Sequence, residues 1–265
     1  MTDRKAIFLD VDGTYAEQGV APTAHEEAVR SVRAAGHRVL LCTGRPRSML
    51  SSRLLAPGFD GIIGSAGGYV EIGGHVVEDH RFPPEVAARI VSVLGDHDVP
   101  FVLEAPEGVY GPLTADRRLG TLLLRGGPDI LDALEMLENL SHASFCKASC
   151  FDSPVPIRIL LAQMGTGIEV IASSLNGTDG DSAEFYLPGV HKARGMRTAM
   201  EQLGVSREDT IAVGDGPNDI EMIDFAGIGV AIEGSHAEVL ALADFTVPGP
   251  GEAGLVTAFI KLGLL

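Results

Sequence analysis

Two aspartates at the end of an apolar run have the types and spacing to do chemistry. Asp10 and Asp12 follow the apolar residues 7–9 and precede Gly13. In an extended strand, side chains two positions apart point the same way, and a glycine lets the chain turn at once. Two negative charges so close together repel each other unless they share a cation or a proton. The pair therefore indicates a divalent metal site, an acid/base pair or both, and a solvated acidic turn is the structural alternative.

Three further segments place polar residues after an apolar strand or before an amphipathic helix. Ligands of open α/β sheets bind beyond the carboxyl ends of the strands, so these segments are expected to converge on one pocket. Oxygen ligands with one lysine and one hydroxyl suit Mg²⁺ and a phosphoryl group. The polar residues are Thr43, Gly44 and Arg45 after the strand 39–42, Lys192 before a helix with apolar Met196, Ala199, Met200 and Leu203, and Asp215, Asn218 and Asp219 after the strand 211–213.

The order of these segments resembles the four motifs of the haloacid dehalogenase (HAD) superfamily of phosphohydrolases. The resemblance is closest to the Cof-like sugar-phosphatase branch, and it covers residues 5–80 and 188–250. Tyr15 departs from the family pattern, because relatives usually have leucine there. The matching segments are Asp10-x-Asp12-Gly13-Thr14, Thr43-Gly44-Arg45, Lys192 and Gly214-Asp215-x-x-Asn218-Asp219.

This resemblance implies a mechanism in which Asp10 attacks phosphorus and forms an aspartyl-phosphate. Asp12 would protonate the leaving alkoxide and then accept a proton from the attacking water. The resemblance also implies a Mg²⁺ site formed by Asp10, by the backbone carbonyl of Asp12 and by Asp215. Asp219 would support these ligands without binding the metal itself.

The remaining motif residues would hold the phosphoryl group and the substrate. Thr43 and the Gly44 amide would donate hydrogen bonds to the phosphoryl oxygens, and Lys192 would neutralise the charge that builds up on them. Asn218 would orient Lys192 or the phosphate, and Arg45 is a candidate substrate contact.

The alternation of strands and helices near the start of the chain predicts an α/β fold. A strand, a helix that ends before Gly36, and the strand 39–42 form a βαβ unit, which implies a Rossmann-like parallel sheet with helices on both faces. From about residue 81 the pattern changes to mixed helices and short strands. We therefore expect a catalytic core formed by residues 1–80 and 188–265, with an inserted α+β cap at 81–187 that selects the substrate.

Within the insertion, two helices and four strands are expected. Too few residues separate Asp10 from Thr43 to hold a cap, so the insertion lies between Thr43 and Lys192, as it does in Cof-like enzymes. One helix is expected to begin at Pro83-Pro84 and a second to cover 130–140, and the strands are expected at 100–103, 157–161, 167–171 and 183–187.

Composition narrows the partners of this chain of 265 residues. The formal net charge of −16 argues against binding to nucleic acid, which depends on clustered Lys and Arg. No run of eighteen apolar residues is present, and acidic residues occupy the position of a signal peptide. Three cysteines fit reduced thiols better than a disulfide framework. We therefore expect a soluble, cytoplasmic protein with no membrane or nucleic-acid partner, and the resemblance implies a small phosphorylated substrate as its partner.

The expected function is Mg²⁺-dependent hydrolysis of a small phosphorylated metabolite, with a sugar phosphate as the substrate class. Two alternatives stay open. A phosphomannomutase-like phosphotransferase would return the phosphoryl group to a sugar instead of water. A non-catalytic phosphate-sensing protein would resemble a receiver domain, but receivers are about half this length and lack the acid/base that Asp12 supplies.

Overall fold

The computed structural model describes residues 4–123, 128–172 and 181–265. The chain divides into two units. The first unit consists of Met1–Gly44, Leu50–Glu78 and His191–Leu265, and the second of Arg45–Met49 and Asp79–Val190. The insertion expected at 81–187 falls within the second unit.

Short strands and helices alternate along the described residues. The strands are β1 (Ala6–Leu9), β2 (Arg38–Cys42), β3 (Gly61–Gly64), β4 (Tyr69–Ile72), β5 (His75–Asp79), β6 (Phe101–Ala105), β7 (Gly108–Pro112), β8 (Leu134–Leu137), β9 (Lys147–Cys150), β10 (Glu169–Ala172), β11 (Ala183–Tyr186), β12 (Thr210–Gly214), β13 (Ile228–Ile232) and β14 (Phe245–Val247). The helices are α1 (Thr23–Ala34), α2 (Pro84–Asp96), α3 (Asp116–Leu123), α4 (Pro128–Ala133), α5 (Ile157–Met164), α6 (Lys192–Leu203), α7 (Ile220–Phe225), α8 (Ala237–Leu242) and α9 (Gly254–Lys261).

The first unit is built on a sheet with the strand order β14-β13-β12-β1-β2-β3-β4-β5. The pairs from β14 to β3 are parallel, and β4 runs antiparallel to β3. Alternate residues of β1 pack on opposite faces: Ile7 and Leu9 lie in one apolar cluster with residues of α1 and α9, and Phe8 lies in another with residues of α6 and α7. Both faces are buried, which explains why β1 is apolar throughout.

The parallel register brings the predicted motifs to one edge of this sheet. Leu9 of β1 pairs with Leu41 of β2 and with Val213 of β12. The three strands therefore end at the same edge, and the residues that follow them leave the sheet side by side. The expected α/β fold with helices on both faces is confirmed.

The second unit contains a sheet with the strand order β10-β11-β9-β6-β7-β8. Its described pairs are antiparallel, except that β7 and β8 are parallel. Helices α2 and α5 supply Ile90 and Leu160 to an apolar cluster with Phe101 and Phe185 of the sheet. This unit thus has its own apolar core and mixes helices with strands.

Two of the predicted elements in this unit are wrong. The residues expected as a strand at 157–161 form helix α5, in which Leu160 and Met164 are buried at a helical spacing of four. A short apolar run does not distinguish a strand from a buried helix. The helix expected over 130–140 ends at Ala133, because the next four residues pair with β7 as strand β8.

Among the described residues, no helix is both long and apolar enough to cross a bilayer.

Candidate active site

A buried ion pair joins Asp10 to Lys192. Asp10 follows β1 directly, and its backbone N–H donates to the carbonyl of Val213 in β12. Lys192 is the first residue of α6, rather than the residue before it, and its side chain is fully buried. Its Nζ lies 2.6 Å from Asp10 Oδ1. A buried ammonium needs such partners, because burial without them costs several kcal/mol.

Asp219 is the second partner of Lys192, and it also shapes its own loop. Its Oδ1 lies 2.5 Å from Lys192 Nζ, and its Oδ2 accepts the backbone N–H groups of Asp215 and Gly216 at 2.9 Å each. Both carboxylate oxygens therefore have partners within the protein. Gly214 is required beside it, because a Cβ there would lie 2.5 Å from Asp219 Cγ.

Asp215 is positioned by the turn that follows β1. Thr14 is fully buried, and its hydroxyl donates to Asp215 Oδ1 at 2.7 Å. Gly13, with φ +81°, packs so closely that a Cβ on it would lie 2.5 Å from Asp215 Oδ2. The backbone carbonyl of Asp215 accepts the N–H of His236 at 3.0 Å. Sequence reasoning missed the role of Thr14, although its place in the first motif was a signal for it.

Asp12 differs from these carboxylates in its environment. Its side chain is exposed, whereas Asp10 and Asp219 are buried. Its charge nevertheless contributes to the electrostatic environment of Asp10 and Asp215. An exposed carboxylate close to the cluster is accessible for proton exchange with a substrate.

The second motif lies beside the fourth. Thr43 follows β2 and is buried, its N–H donates to Ile63 O, and its carbonyl accepts the N–H of Ala66. A Cβ on Gly44 would lie 3.1 Å from Asn218 Nδ2. Arg45 follows Gly44 in the chain and is counted with the second unit.

Burial and like charges raise the pKa values of Asp10 and Asp215. Burial raises the pKa of Asp10 well above its ordinary value, Lys192 opposes this increase, and Asp219, Asp215 and Asp12 add to it. Burial raises the pKa of Asp215 to about 6, although the Thr14 hydrogen bond lowers it. Burial by itself would lower the pKa of Lys192, but Asp10 and Asp219 hold it above its ordinary value.

A family model for haloacid dehalogenase-like hydrolases matches residues 7–259. The chain belongs to this family. The match spans both ends of the chain and includes every residue of the candidate site. It confirms the family that the four motifs predicted.

Relatives and solved structures agree with this membership. The YkrA protein of Bacillus subtilis is 26% identical over 279 residues, covering 99% of each chain. The phosphoglycolate phosphatase of Methanoculleus marisnigri is 28% identical over 260 residues, covering 97% of this chain and 94% of its own. The structure of BT4131, a sugar phosphatase of HAD subclass IIB, matches with a TM-score of 0.81 and 23% identity over 98% of this chain and all of that one. The expected phosphatase class and Cof-like branch are confirmed.

The acidic cluster of this HAD-like hydrolase has the donor set of a divalent metal site. One carboxylate oxygen from each of Asp10, Asp215 and Asp219 lies within 4.8 Å of the others. When all three are ionised, Lys192 leaves an excess of two negative charges, which a divalent cation would balance. Oxygen ligands suit Mg²⁺, so the residues present fit the metal that this family uses. Because both Asp219 oxygens have protein partners, Asp10 and Asp215 are the better placed ligands.

Gly13→Ala is expected to lower activity by displacing Asp215. The added Cβ would overlap Asp215 Oδ2, and a misplacement of about 1 Å in an active site costs on the order of 100-fold in rate. Gly74→Ala is the matched control, because Gly74 has the same φ of +81° but no atom within 4 Å of an added Cβ. Each variant is expected to lose about 1–2 kcal/mol of stability from backbone strain. Phosphatase rates and urea unfolding of both variants measure the two effects, and equal rates would contradict the proposed packing.

Proposed function

We propose that this protein is a Mg²⁺-dependent phosphatase that hydrolyses a small phosphate monoester through an aspartyl-phosphate on Asp10. The observation that carries the proposal is the buried Asp10 carboxylate, which is paired with Lys192 inside a cluster of acidic oxygens. A nucleophile held in one orientation needs little further activation for phosphoryl transfer.

In the first half of the reaction, a carboxylate oxygen of Asp10 attacks phosphorus and the bond to the ester oxygen breaks. Asp12 gives its proton to the leaving alkoxide, so a neutral alcohol departs. In the second half, water attacks the aspartyl-phosphate, Asp12 accepts a proton from that water, and the carboxylate of Asp10 is released with inorganic phosphate. The exposed side chain of Asp12 supports this exchange of protons.

The charge of the transferring group is offset by cations and by hydrogen-bond donors. Lys192 supplies one fixed positive charge next to Asp10. Thr43, the Gly44 amide and Asn218 are proposed to donate to the phosphoryl oxygens, and the adjacency of Gly44 and Asn218 supports a shared task. Arg45 is proposed to contact the substrate.

When bound, Mg²⁺ would supply positive charge that keeps the carboxylates ionised and stabilises the transferring phosphoryl group. Asp10 and Asp215 are proposed to hold it through their side chains and Asp12 through its backbone carbonyl. Asp219 would support these ligands without binding the metal itself: it fixes the loop that carries Asp215 and holds Lys192.

The substrate class is proposed to be a sugar phosphate, in line with the Cof-like sugar phosphatases that the motifs resemble. The motif residues are proposed to bind the phosphoryl group and the metal, so they cannot distinguish one leaving alcohol of the ester from another. We propose that the second unit, with residues 81–187 as its inserted cap, makes this choice. The separate apolar core of that unit supports its assignment as a cap domain.

A screen of phosphorylated metabolites tests this function. The protein is incubated with Mg²⁺ and each of a panel of sugar phosphates, phosphoglycolate and other phosphomonoesters, and free phosphate is measured. Release from sugar phosphates with turnover is the expected result. Formation of a new sugar phosphate in the presence of an acceptor sugar, without free phosphate, would instead identify a phosphotransferase. Absence of both products across the panel would refute the proposal.

Activity is expected to require Mg²⁺, and Asp215→Ala is expected to weaken the binding of Mg²⁺. Removing an oxygen ligand from a hard cation should raise the half-saturating Mg²⁺ concentration by at least about tenfold. Asp209→Ala is the matched control, because Asp209 precedes the same strand at its other end and pairs with Lys5. Titration of the rate with Mg²⁺ after removal of metal by a chelator measures the effect. Full activity in excess chelator would end the metal assignment.

A further inference from the structure

The turn that carries Asp12 is tied to the protein through its backbone. Tyr15 N donates to Asp10 O at 3.2 Å, Ala16 N donates to Val11 O at 2.8 Å, and Gly13 N donates to Ala16 O at 2.9 Å. These bonds fix the backbone from which the Asp12 side chain projects. A group that holds the end of this turn, at Tyr15 and Ala16, therefore also positions the backbone of Asp12.

His25, near the start of α1, holds that end of the turn. It is fully buried, and its Nδ1 lies 2.9 Å from the carbonyl oxygen of Tyr15. Its other ring nitrogen, Nε2, lies 3.1 Å from the backbone nitrogen of Leu255. A carbonyl can only accept and a backbone N–H can only donate, so the two partners define the ring: Nδ1 carries the proton, Nε2 accepts, and the imidazole is neutral.

The bond to Leu255 also caps a helix. Leu255 is the second residue of α9, and N–H groups in the first turn of a helix have no intrahelical acceptor. The residue before α9, Ala253, has no side-chain oxygen that could cap it. His25 therefore links the N-terminus of α9 to the turn after β1, through one rigid ring.

Tyr15 completes this arrangement. Its ring is fully buried, stacks near His25 with centroids 6.5 Å apart, and meets the Phe59 ring edge-on at 5.5 Å. Its hydroxyl donates to Leu54 O at 3.3 Å. The Tyr15 side chain thus packs against the same His25 ring that binds the Tyr15 carbonyl.

We propose that His25 is a positioning residue for proton transfer: it holds the Tyr15 carbonyl and thereby fixes the turn that presents Asp12. This inference rests on the proposed function, in which Asp12 protonates the leaving group. His25 is fully buried and both of its ring nitrogens bind backbone groups, so it acts through the backbone of the turn.

Two substitutions separate the two hydrogen bonds of His25. His25→Asn keeps an amide donor near the position of Nδ1 and loses the bond to Leu255. His25→Gln places an amide near the position of Nε2 and loses the bond to Tyr15. His37→Gln is the matched control, because His37 is also buried and accepts a backbone N–H, that of Lys5, just before β1 at the other edge of the sheet.

The readout is kcat for an alkyl phosphate and for an aryl phosphate, whose leaving oxygen needs less protonation. For His25→Gln, kcat with the alkyl ester is expected to fall about 10-fold to 100-fold, with a smaller fall for the aryl ester and little change in KM. His25→Asn is expected to lose less of its alkyl-ester rate than His25→Gln. His37→Gln is expected to lose stability without a change in the ratio of the two rates.

Asp12→Asn, measured in parallel, separates failure of this inference from failure of the proposed function. If Asp12→Asn loses the alkyl ester selectively and His25→Gln does not, positioning by His25 is refuted and the function stands. If Asp12→Asn shows no selectivity, general-acid catalysis by Asp12 is refuted instead. Histidine labelled with ¹⁵N gives a test in the unaltered protein: a proton on Nε2 of His25 at neutral pH would overturn the assigned hydrogen bonds, even if a variant fails to fold.

Discussion

Asp10→Asn is expected to abolish phosphate release while the protein stays folded. The substitution removes the charge and nucleophilicity of the carboxylate but almost none of its volume, and it leaves an amide oxygen that can still accept a bond from Lys192. Loss of a nucleophile lowers kcat by a factor on the order of 10⁴ or more. Phosphate release and circular dichroism of the purified variant measure the two halves of this prediction.

Asp60→Asn is the control for this result, because it should show the opposite pattern. Asp60 accepts bonds from Arg33, Arg38 and the backbone N–H of Val39, at the start of β2. Weakening these charged bonds is expected to cost about 1–3 kcal/mol of stability with little effect on kcat. Normal turnover by a folded Asp10→Asn variant would refute the assignment of the nucleophile.

Lys192→Met is expected to cause the largest loss of stability among the site variants, together with loss of activity. The fully buried ammonium has Asp10 and Asp219 as partners, and methionine would leave both carboxylates buried without its charge. Removing one partner of a buried ion pair costs about 3–5 kcal/mol. Urea unfolding of the metal-free protein measures the loss.

A double variant, Asp10→Asn with Lys192→Met, tests the cause of that loss. Removal of the Asp10 charge should restore part of the stability, because only Asp219 is then left without the ammonium, and two backbone N–H groups still bind it. Activity is not expected to return. If both variants unfold at the same urea concentration, repulsion between uncompensated carboxylates is not the cause.

Much of this fold follows from local patterns in the sequence. The alternation of side chains in β1 requires two buried faces, since both sets are apolar, and helices on both faces satisfy this requirement. The motifs could be found because each one begins at the end of a strand or opens a helix, and parallel strands end at one edge. The structure brings Asp10, Lys192, Asp215 and Asp219 together, and their catalytic roles stay predictions until the variants are measured.

Tertiary packing decided what local pattern could not. The residues 134–137 are a strand because β7 offers a partner, and 157–161 form a helix because one side packs against the core of the second unit. The site depends on contacts between distant segments: Thr14 bonds Asp215, 201 positions away, and His25 bonds Leu255, 230 positions away. No periodicity encodes such pairs, because hydrogen bonds depend on distances and angles that exist only once the chain has folded.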